Sequence, residues 1–392
     1  MTEYNRRAVF AVACAGMLLF GIVLTTLGAI LPEIITRFDV SKANAGSLFL
    51  LMTFGILLGS LIFGPSVDRT GYRLPLAGAA ALVGLGVETI AFAPSLAIIR
   101  AGVLLIGLGG GVLNVATNGV AADIAEGGRA AKLSLLGVFF GIGAVGVPFA
   151  LGALSGMVSQ RAVLAAVGGI GFACMLATLA IRFPQPQQPQ SLPLAQALKL
   201  IREKPLILLG LILFLQSGME ITVGGWTSTF AREELALGGR AALFFLSLYW
   251  FGMMIARLVL GIVLIRISPR RVFPLSLLLS FAGVTLLIAS NATLLAALGV
   301  FLVGAGFAAV FPIVLGWVGE RYPTQTGTAF SIALVMALTG GMLLPFLTGL
   351  MGGRFGMRAS LLIVPAALVG VALLFGVVTL GRLGRRAGAQ GQ

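Results

Sequence analysis

The segment that decides the fold is a short charged stretch between two long apolar ones. It reads Gly64-Pro65-Ser66-Val67-Asp68-Arg69-Thr70-Gly71-Tyr72-Arg73. The flanking residues 43–64 and 74–95 are mostly apolar over about 20 positions, the length that crosses the hydrocarbon core of a bilayer at roughly 1.5 Å per residue. The charged stretch is therefore predicted to be a loop between two transmembrane helices.

Apolar stretches of this length recur along the whole chain of 392 residues, of which 59% are hydrophobic and 10% charged. Soluble domains carry about 25% charged residues, so water is not the main solvent of this chain. Breaks at Pro, Gly and charge clusters place spans at about 8–31, 43–64, 74–95, 97–122, 131–155, 161–182, 205–230, 241–265, 272–290, 293–319, 326–350 and 357–381. We predict an all-α membrane protein with twelve transmembrane helices.

The two halves of the chain resemble each other at a constant offset of 197 residues. At this register Arg69 meets Arg266 and Asp123 meets Glu320, and Pro148 meets Pro345. Matches of this kind, together with many Gly pairs, predict two pseudo-symmetric six-helix bundles. The bundles are expected at residues 1–182 and 205–392, joined by a Pro-rich cytoplasmic linker at 183–204.

The net charge of +14 does not predict nucleic acid binding, because the Lys and Arg residues lie in short connections between apolar spans. Counted with the N-terminus inside, seventeen of the 26 fall on the cytoplasmic side, eight fall outside, and Arg257 lies within the eighth span. This bias predicts a multi-pass protein of the cell inner membrane with both termini cytoplasmic. The two cysteines lie within spans and the chain has no His, so no metal site is predicted.

The charged stretch has the pattern Gly-x-x-x-Asp-Arg-x-Gly-x-Arg, which resembles the signature loop of the major facilitator superfamily. Physically, Gly64 permits close helix approach and Gly71 a tight turn, while Asp68, Arg69 and Arg73 can bond to neighbouring helix ends. The resemblance implies the major facilitator fold, in which two six-helix bundles rock about a central cavity and alternately expose it.

The second-half copy of this loop is degenerate, because Ile265 replaces the acid while Arg266 remains. Asp123 and Glu320 end the fourth and tenth spans and are the natural acidic partners of the basic loops. We expect Glu320 to pair with Arg257 or Arg266.

The seventh span contains a carboxylate that needs an explanation, because a buried acid costs several kcal/mol unless it has a partner. The span reads Gln216-Ser217-Gly218-Met219-Glu220-Ile221-Thr222-Val223-Gly224-Gly225-Trp226. It resembles the corresponding helix of the fucose permease family of sugar–proton symporters. The stretch from Gly111 to Gly119 and the pair Phe311-Pro312 also resemble that family.

The resemblance implies a small polar solute, most simply a monosaccharide, as substrate. Sugar hydroxyls need fixed polar partners, and the C–H face of a sugar stacks on aromatic rings. The polar candidates are Asn114, Asn118, Gln216 and Glu220, and the ring candidates are Trp226, Trp250, Tyr249, Phe139 and Phe311.

The sequence does not decide the coupling ion. Proton-coupled members of the family carry one carboxylate in the first span and another in the fourth. The corresponding positions of this chain, near Gly28 and at Asn114, have no titratable side chain. The coupling candidates left are Glu220 and Glu88. Uniport, sodium coupling through amide and carboxylate oxygens, and proton coupling through Glu220 are all consistent with the sequence.

Two other functions are consistent with the composition. A drug or metabolite exporter of the same superfamily would also have an apolar, aromatic cavity, and a non-transport membrane receptor is a more distant alternative. No constellation of catalytic residues stands in the short loops, so we expect no enzymatic activity and no cofactor besides a possible Na+ or H+. The superfamily resemblance implies a monomer.

Overall fold

The structure is a computed structural model that describes residues 4–125, 129–186 and 199–389, with side chains described except at 129–131 and 380–389. The helices of the first half are α1 (Arg6–Phe38), α2 (Lys42–Thr70), α3 (Arg73–Ala91), α4 (Leu96–Asp123), α5 (Arg129–Ala153) and α6 (Gln160–Ala180). Those of the second half are α7 (Lys204–Glu233), α8 (Gly239–Arg266), α9 (Pro269–Ala289), α10 (Thr293–Arg321), α11 (Thr326–Phe355), α12 (Met357–Ser360) and α13 (Ile363–Ala389).

Twelve of these segments are long and apolar enough to cross a membrane, the twelfth being Met357–Thr379 in α12 and α13. The prediction of an all-α protein with twelve transmembrane helices is confirmed. Several helices run beyond the predicted apolar spans, because the helical backbone continues through the polar interface. The first helix, predicted at 8–31, ends at Phe38, where Asp39 takes a left-handed conformation and its N–H bonds to the Ile35 carbonyl.

The 197-residue register is visible in the helix ends. Moved by 197 positions, the first residue of α2, Lys42, falls at Gly239, the first residue of α8. The register is also visible in the packing: Gly86 and Gly102 meet where α3 crosses α4, and Gly283 and Gly299 meet where α9 crosses α10. A side chain at any of the four would press into the backbone of its partner helix, so both crossings depend on the absence of a Cβ.

Most packing is within each half. In the first half α1 packs on α4 and α5, and α3 on α4 and α6; in the second half α7 packs on α11, and α10 on α8 and α9. The main contacts between halves are α1 with α7, α2 with α11, and α5 with α8. The predicted linker at 183–204 lies mostly outside the described residues, which omit 187–198.

The molecule has two distinct ends. The motif face is the end that carries the loop of residues 64–73, and the far face is the opposite end, where α2 begins at Lys42 and α7 ends at Glu233. Because consecutive spanning helices alternate in direction, α5 and α11 run from the motif face to the far face, and α4, α8 and α10 run the other way.

Candidate functional site

The two halves meet most closely where α1 crosses α7 in the far-face half of the molecule. Gly28 lies against the carbonyl of Gly224, and a Cβ at position 28 would collide with that oxygen. The hydroxyl of Ser228, one turn further along α7, donates a hydrogen bond to the Gly28 carbonyl. This backbone-to-backbone approach leaves no passage between α1 and α7.

A second inter-half contact is built around Trp226 of α7. Its indole N–H donates to the Pro345 carbonyl of α11 at 2.9 Å, and its ring lies 6.0 Å from that of Phe49 in α2. The side chain is completely buried. The structure therefore places this predicted substrate ring within the contact between α2, α7 and α11.

An ion pair joins the halves at the far face itself. The Lys42 ammonium lies 2.6 Å from a carboxylate oxygen of Glu233, and it also reaches the Gly352 carbonyl at 3.4 Å. We call the Lys42–Glu233 pair the far-face latch. Together with the Gly28 and Trp226 contacts it closes the molecule at this end.

A group of charged and aromatic side chains lies further toward the motif face. Glu220 of α7 has a carboxylate oxygen 3.8 Å from a guanidinium nitrogen of Arg257 of α8, and their side chains are 12% and 30% exposed. The Arg257 guanidinium lies 5.2 Å from the ring centre of Phe140 in α5, the neighbouring helix of the other half. The site thus brings an acid and a base together where the two halves meet.

Aromatic rings enclose this ion pair on its far-face side. The Tyr249 hydroxyl donates to the Glu220 backbone carbonyl at 3.1 Å, and its ring meets that of Trp250 edge-on at 5.1 Å. Trp250 in turn meets Phe140 edge-on at 6.0 Å. We call Phe140, Glu220, Tyr249, Trp250 and Arg257 the central cluster.

Buried polar atoms without a partner among the described residues occur in and beside the central cluster. The indole nitrogen of Trp250 has no hydrogen bond among the described residues, although the side chain is only 2% exposed. Gln216, one turn before Glu220 on α7, donates to the Phe307 carbonyl at 3.2 Å, while its carbonyl oxygen is unpartnered among the same residues. Unpaired buried polar atoms are unusual in native interiors and are frequently explained by function.

The other predicted binding residues are placed in the halves of α4, α5 and α10 that lie toward the motif face. Asn114 and Asn118 are partly exposed, and the Asn118 amide donates to the Asn114 carbonyl at 2.8 Å. Phe139 and Phe311 are also partly exposed and pack against the core. None of these four forms a hydrogen bond or a ring contact with the central cluster in the described structure.

Phe140, which the sequence reasoning missed in favour of its neighbour Phe139, contacts both Arg257 and Trp250. A helical pattern of burial in the structure distinguishes the two residues. The buried hydrophobic side chains of α5 other than Gly and Pro are Leu136, Phe140, Ala144, Val147 and Leu151, which recur at intervals of three or four residues. Phe139 lies beside this stripe.

Glu88, the second coupling candidate, lies apart from the central cluster. It is in α3, and its carboxylate packs over Gly168 of α6 within the first half. No ion pair or hydrogen bond of the Glu88 carboxylate is found in the part of the chain that the structure describes.

Hydrogen bonds from Tyr72 and Arg73 hold the motif loop against neighbouring helices of the first half. The buried Tyr72 hydroxyl donates to Asp123 at 2.8 Å, and the Arg73 guanidinium donates to the Leu179 carbonyl in the last turn of α6. Burial raises the pKa of Tyr72 well above its ordinary value near 10, so this donor keeps its proton. Gly71 takes the left-handed φ of 70° that its predicted turn requires.

The remaining motif residues differ in exposure. Gly64 is buried in α2, while Asp68 and Arg69 are exposed. In the second half Arg266 and Glu320 are exposed as well.

Of the two pairings expected for Glu320, with Arg257 or with Arg266, the pairing with Arg257 is wrong, and no ion pair between Glu320 and Arg266 occurs among the described residues. The carboxylate beside Arg257 is Glu220, because Arg257 lies about two and a half turns inside α8, toward the bilayer centre and away from the end of α10.

A helical membrane protein with two similar halves, closed at one face and carrying in its second half a partly exposed ion pair that borders the first half, has the architecture of an alternating-access transporter. The chain belongs to the Major Facilitator Superfamily, whose family model matches residues 13–261 and again residues 231–391. It is therefore a multi-pass transporter of that superfamily.

Solved structures similar to this chain have the same fold. One is a mutant of the nucleoside transporter NupG, with a TM-score of 0.79 and 16% identity over 95% of this chain and 99% of that one. Another is a D-xylose-proton symporter, with a TM-score of 0.78 and 16% identity over 94% of this chain and 96% of that one. A third, a bacterial homolog of the human lysosomal transporter Spinster in an inward-facing, unoccupied conformation, has a TM-score of 0.78 and 16% identity over 96% and 97%. No curated protein sequence matches the chain.

Proposed function

We propose that this protein moves a monosaccharide across the inner membrane by alternating access, with a proton as the coupling ion. The single observation that carries the proposal is the central cluster, in which Glu220 and Arg257 form an ion pair between aromatic rings at the meeting point of the halves. Ionisable residues within membrane helices are costly and mark substrate or ion pathways.

The mixture of groups suits a sugar better than a lipophilic drug. A sugar offers hydroxyls to polar side chains and a C–H face to rings, and the cluster has Trp250 and Phe140 next to charged groups. Of the similar structures, one is named as a D-xylose-proton symporter, and D-xylose is a monosaccharide. The fucose permease resemblance of the seventh span supports the same substrate class.

Arg257 also favours a proton over sodium at Glu220. A sodium ion bound to this carboxylate would lie close to a guanidinium that is 3.8 Å from the same group. Like charges at such separations repel by several kcal/mol in a partly buried site. A proton neutralises Glu220 without adding a second cation, so it is the better coupling ion here.

We assign the motif face to the cytoplasm, because the Lys and Arg residues concentrate there. With the far face closed, this structure then corresponds to a state open toward the inside. The two halves, residues 1–182 and 205–392 with the linker 183–204 between them, would move as bundles about the cluster. We propose that the protein acts as a monomer.

Uptake into proteoliposomes tests the proposal. We expect labelled monosaccharides to accumulate under an imposed pH gradient and not under a sodium gradient of equal size. Sodium-driven uptake, or gradient-free equilibration alone, would contradict proton coupling. Efflux of lipophilic dyes with no monosaccharide uptake would instead support the exporter.

A further inference from the structure

The Arg257 guanidinium has hydrogen-bond donors that no described residue accepts from. It carries five N–H groups, and a charge-assisted bond to a carboxylate spans about 2.7–2.9 Å. Its distance to Glu220 is 3.8 Å, and no hydrogen bond of Arg257 occurs among the described residues. Its side chain is 30% exposed and borders the Phe140 ring, so its donors can reach a solute between the halves.

A second group near Arg257 lacks a partner. Trp250 lies seven residues earlier on α8, which places both side chains on one face of the helix, and both contact the Phe140 ring. The buried indole N–H of Trp250 has no acceptor in the described residues. A cation and an indole donor that flank one ring can bind a solute with an anionic group, an oxygen acceptor and an apolar face.

The charges of Glu220 and Arg257 determine whether the site accepts an anionic or a cationic solute. With Glu220 ionised, the pair is neutral, and an added carboxylate would leave one net negative charge in a poorly solvated site. Protonation of Glu220 removes that charge and frees Arg257 for the carboxylate of the solute. A cationic solute would add one positive charge, and Arg257 cannot compensate by losing a proton, because a guanidinium stays protonated in proteins.

In the described part of the chain, no other charged group lies close enough to affect the protonation of Glu220 or the binding of a carboxylate by Arg257. The helices with substantial contacts to α7 are α1, α8, α10, α11 and α13. Among the described side chains of these helices, the titratable groups facing Glu220 are Arg257 and Tyr249, both on α8, and the Tyr249 hydroxyl donates to the Glu220 backbone carbonyl. The contribution of α5 to the cluster is the uncharged Phe140.

We infer that the transported monosaccharide bears a carboxylate, as a hexuronate does, and that Arg257 binds this carboxylate while Glu220 carries one proton. The inference rests on the proposed function and narrows its substrate class. One monoanion and one proton enter together, so the transport step moves no net charge.

Matched sugars test the inference. Purified wild-type protein is titrated with D-glucuronate and with D-glucose, which differ at the carboxylate, and stabilisation is followed by thermal shift. We expect D-glucuronate to bind at least ten-fold more tightly than D-glucose. Arg257→Gln should weaken D-glucuronate binding by about ten- to hundred-fold, Arg257→Lys by less, and the exposed Arg100→Gln not at all.

A wild-type measurement keeps the test valid if Arg257→Gln does not fold. In proteoliposomes, D-glucuronate uptake should respond to a pH gradient and stay unchanged when a potassium–valinomycin potential of either sign is imposed. Uptake that follows the potential would overturn the inference.

The two proposals fail in different ways. Equal binding of D-glucose and D-glucuronate, or unchanged D-glucuronate binding by Arg257→Gln, would overturn the carboxylate inference and leave monosaccharide transport standing. Absence of binding and uptake of both sugars, together with dye efflux, would overturn both.

Discussion

Glu220 and Arg257 lie 3.8 Å apart on two neighbouring helices of the second half, and Arg257 also contacts Phe140 of the first half. The pair therefore couples a charge inside one bundle to the surface along which the two bundles meet. A change in the protonation of Glu220 alters the charge environment of a residue at that surface. Such a link would allow the proposed coupling proton to bias the equilibrium between conformations.

The first prediction concerns proton coupling. One coupled proton can drive accumulation of about ten-fold per pH unit, because a pH unit is worth about 1.4 kcal/mol. Glu220→Gln cannot release a proton, so we expect it to lose accumulation while exchange of labelled for unlabelled substrate continues. Glu88→Gln should keep the gradient response, because Glu88 packs against α6 away from the cluster. The reverse outcome would move coupling to Glu88.

The fold could be predicted from the sequence because hydropathy and an internal offset report directly on membrane spans and duplication. Lys42 and Gly239 begin equivalent helices at the register read from the sequence. The central cluster was only partly predictable. Glu220 was marked by its apolar surroundings, but the partner of Arg257 depends on how α7 and α8 are rotated about their axes.

Phe140 shows a second limit of the sequence. Adjacent phenylalanines point about 100° apart on a helix, so composition alone does not say which one contacts the other half. Phe140 belongs to the stripe of buried residues on α5. In a membrane helix the residues on every side of such a stripe are also apolar, so the stripe does not stand out in the sequence. Hydrophobic periodicity therefore carries less information here than in a soluble protein.

The second prediction concerns the closest approach of the halves. A Cβ at position 28 would collide with the Gly224 carbonyl, so Gly28→Ala should disfavour closure of the far face. We expect uptake to fall more than ten-fold while the amount of folded protein in the membrane is unchanged. Gly78→Ala is the matched control, because no described atom lies within 4 Å of a Cβ built at that position of α3. Equal uptake by the two variants would mean that α1 and α7 need not approach this closely.

The third prediction separates two tryptophans by their hydrogen bonds. Trp226→Phe removes the bond to the Pro345 carbonyl and leaves that carbonyl buried, which should lower the free energy of unfolding by ~1–3 kcal/mol. Trp250→Phe removes an indole N–H that has no partner among the described residues, so the bond-related loss is absent.

The same two variants differ in transport. Trp250→Phe should raise the KM for uptake by about two- to ten-fold, because Trp250 packs on Phe140, the ring that Arg257 also contacts. Trp226→Phe should leave KM near the wild-type value. Thermal unfolding and uptake measured side by side check both statements, and a larger KM change for Trp226→Phe would place the substrate against that ring instead.

The last prediction concerns the far-face latch. The Lys42–Glu233 pair is partly exposed, at 21% and 36%, and such pairs contribute about 0.2–1 kcal/mol. Lys42→Glu replaces attraction by repulsion, so we expect the far-face-open population to rise by about two- to five-fold. The double variant Lys42→Glu, Glu233→Lys should return it toward the wild-type level.

Alkylation of a cysteine placed at residue 228, where α1 crosses α7, measures the far-face-open population. In a background carrying Ser228→Cys, with Cys14 and Cys174 replaced by Ala, a membrane-impermeant maleimide added from the far-face side reaches residue 228 only when α1 and α7 separate. Lys42→Glu should therefore speed labelling. Arg100→Glu changes the net charge by the same amount at an exposed far-face position and should leave the labelling rate unchanged. Faster labelling that persists in the Lys42→Glu, Glu233→Lys double variant would show that Lys42 acts through its bond to the Gly352 carbonyl rather than through Glu233.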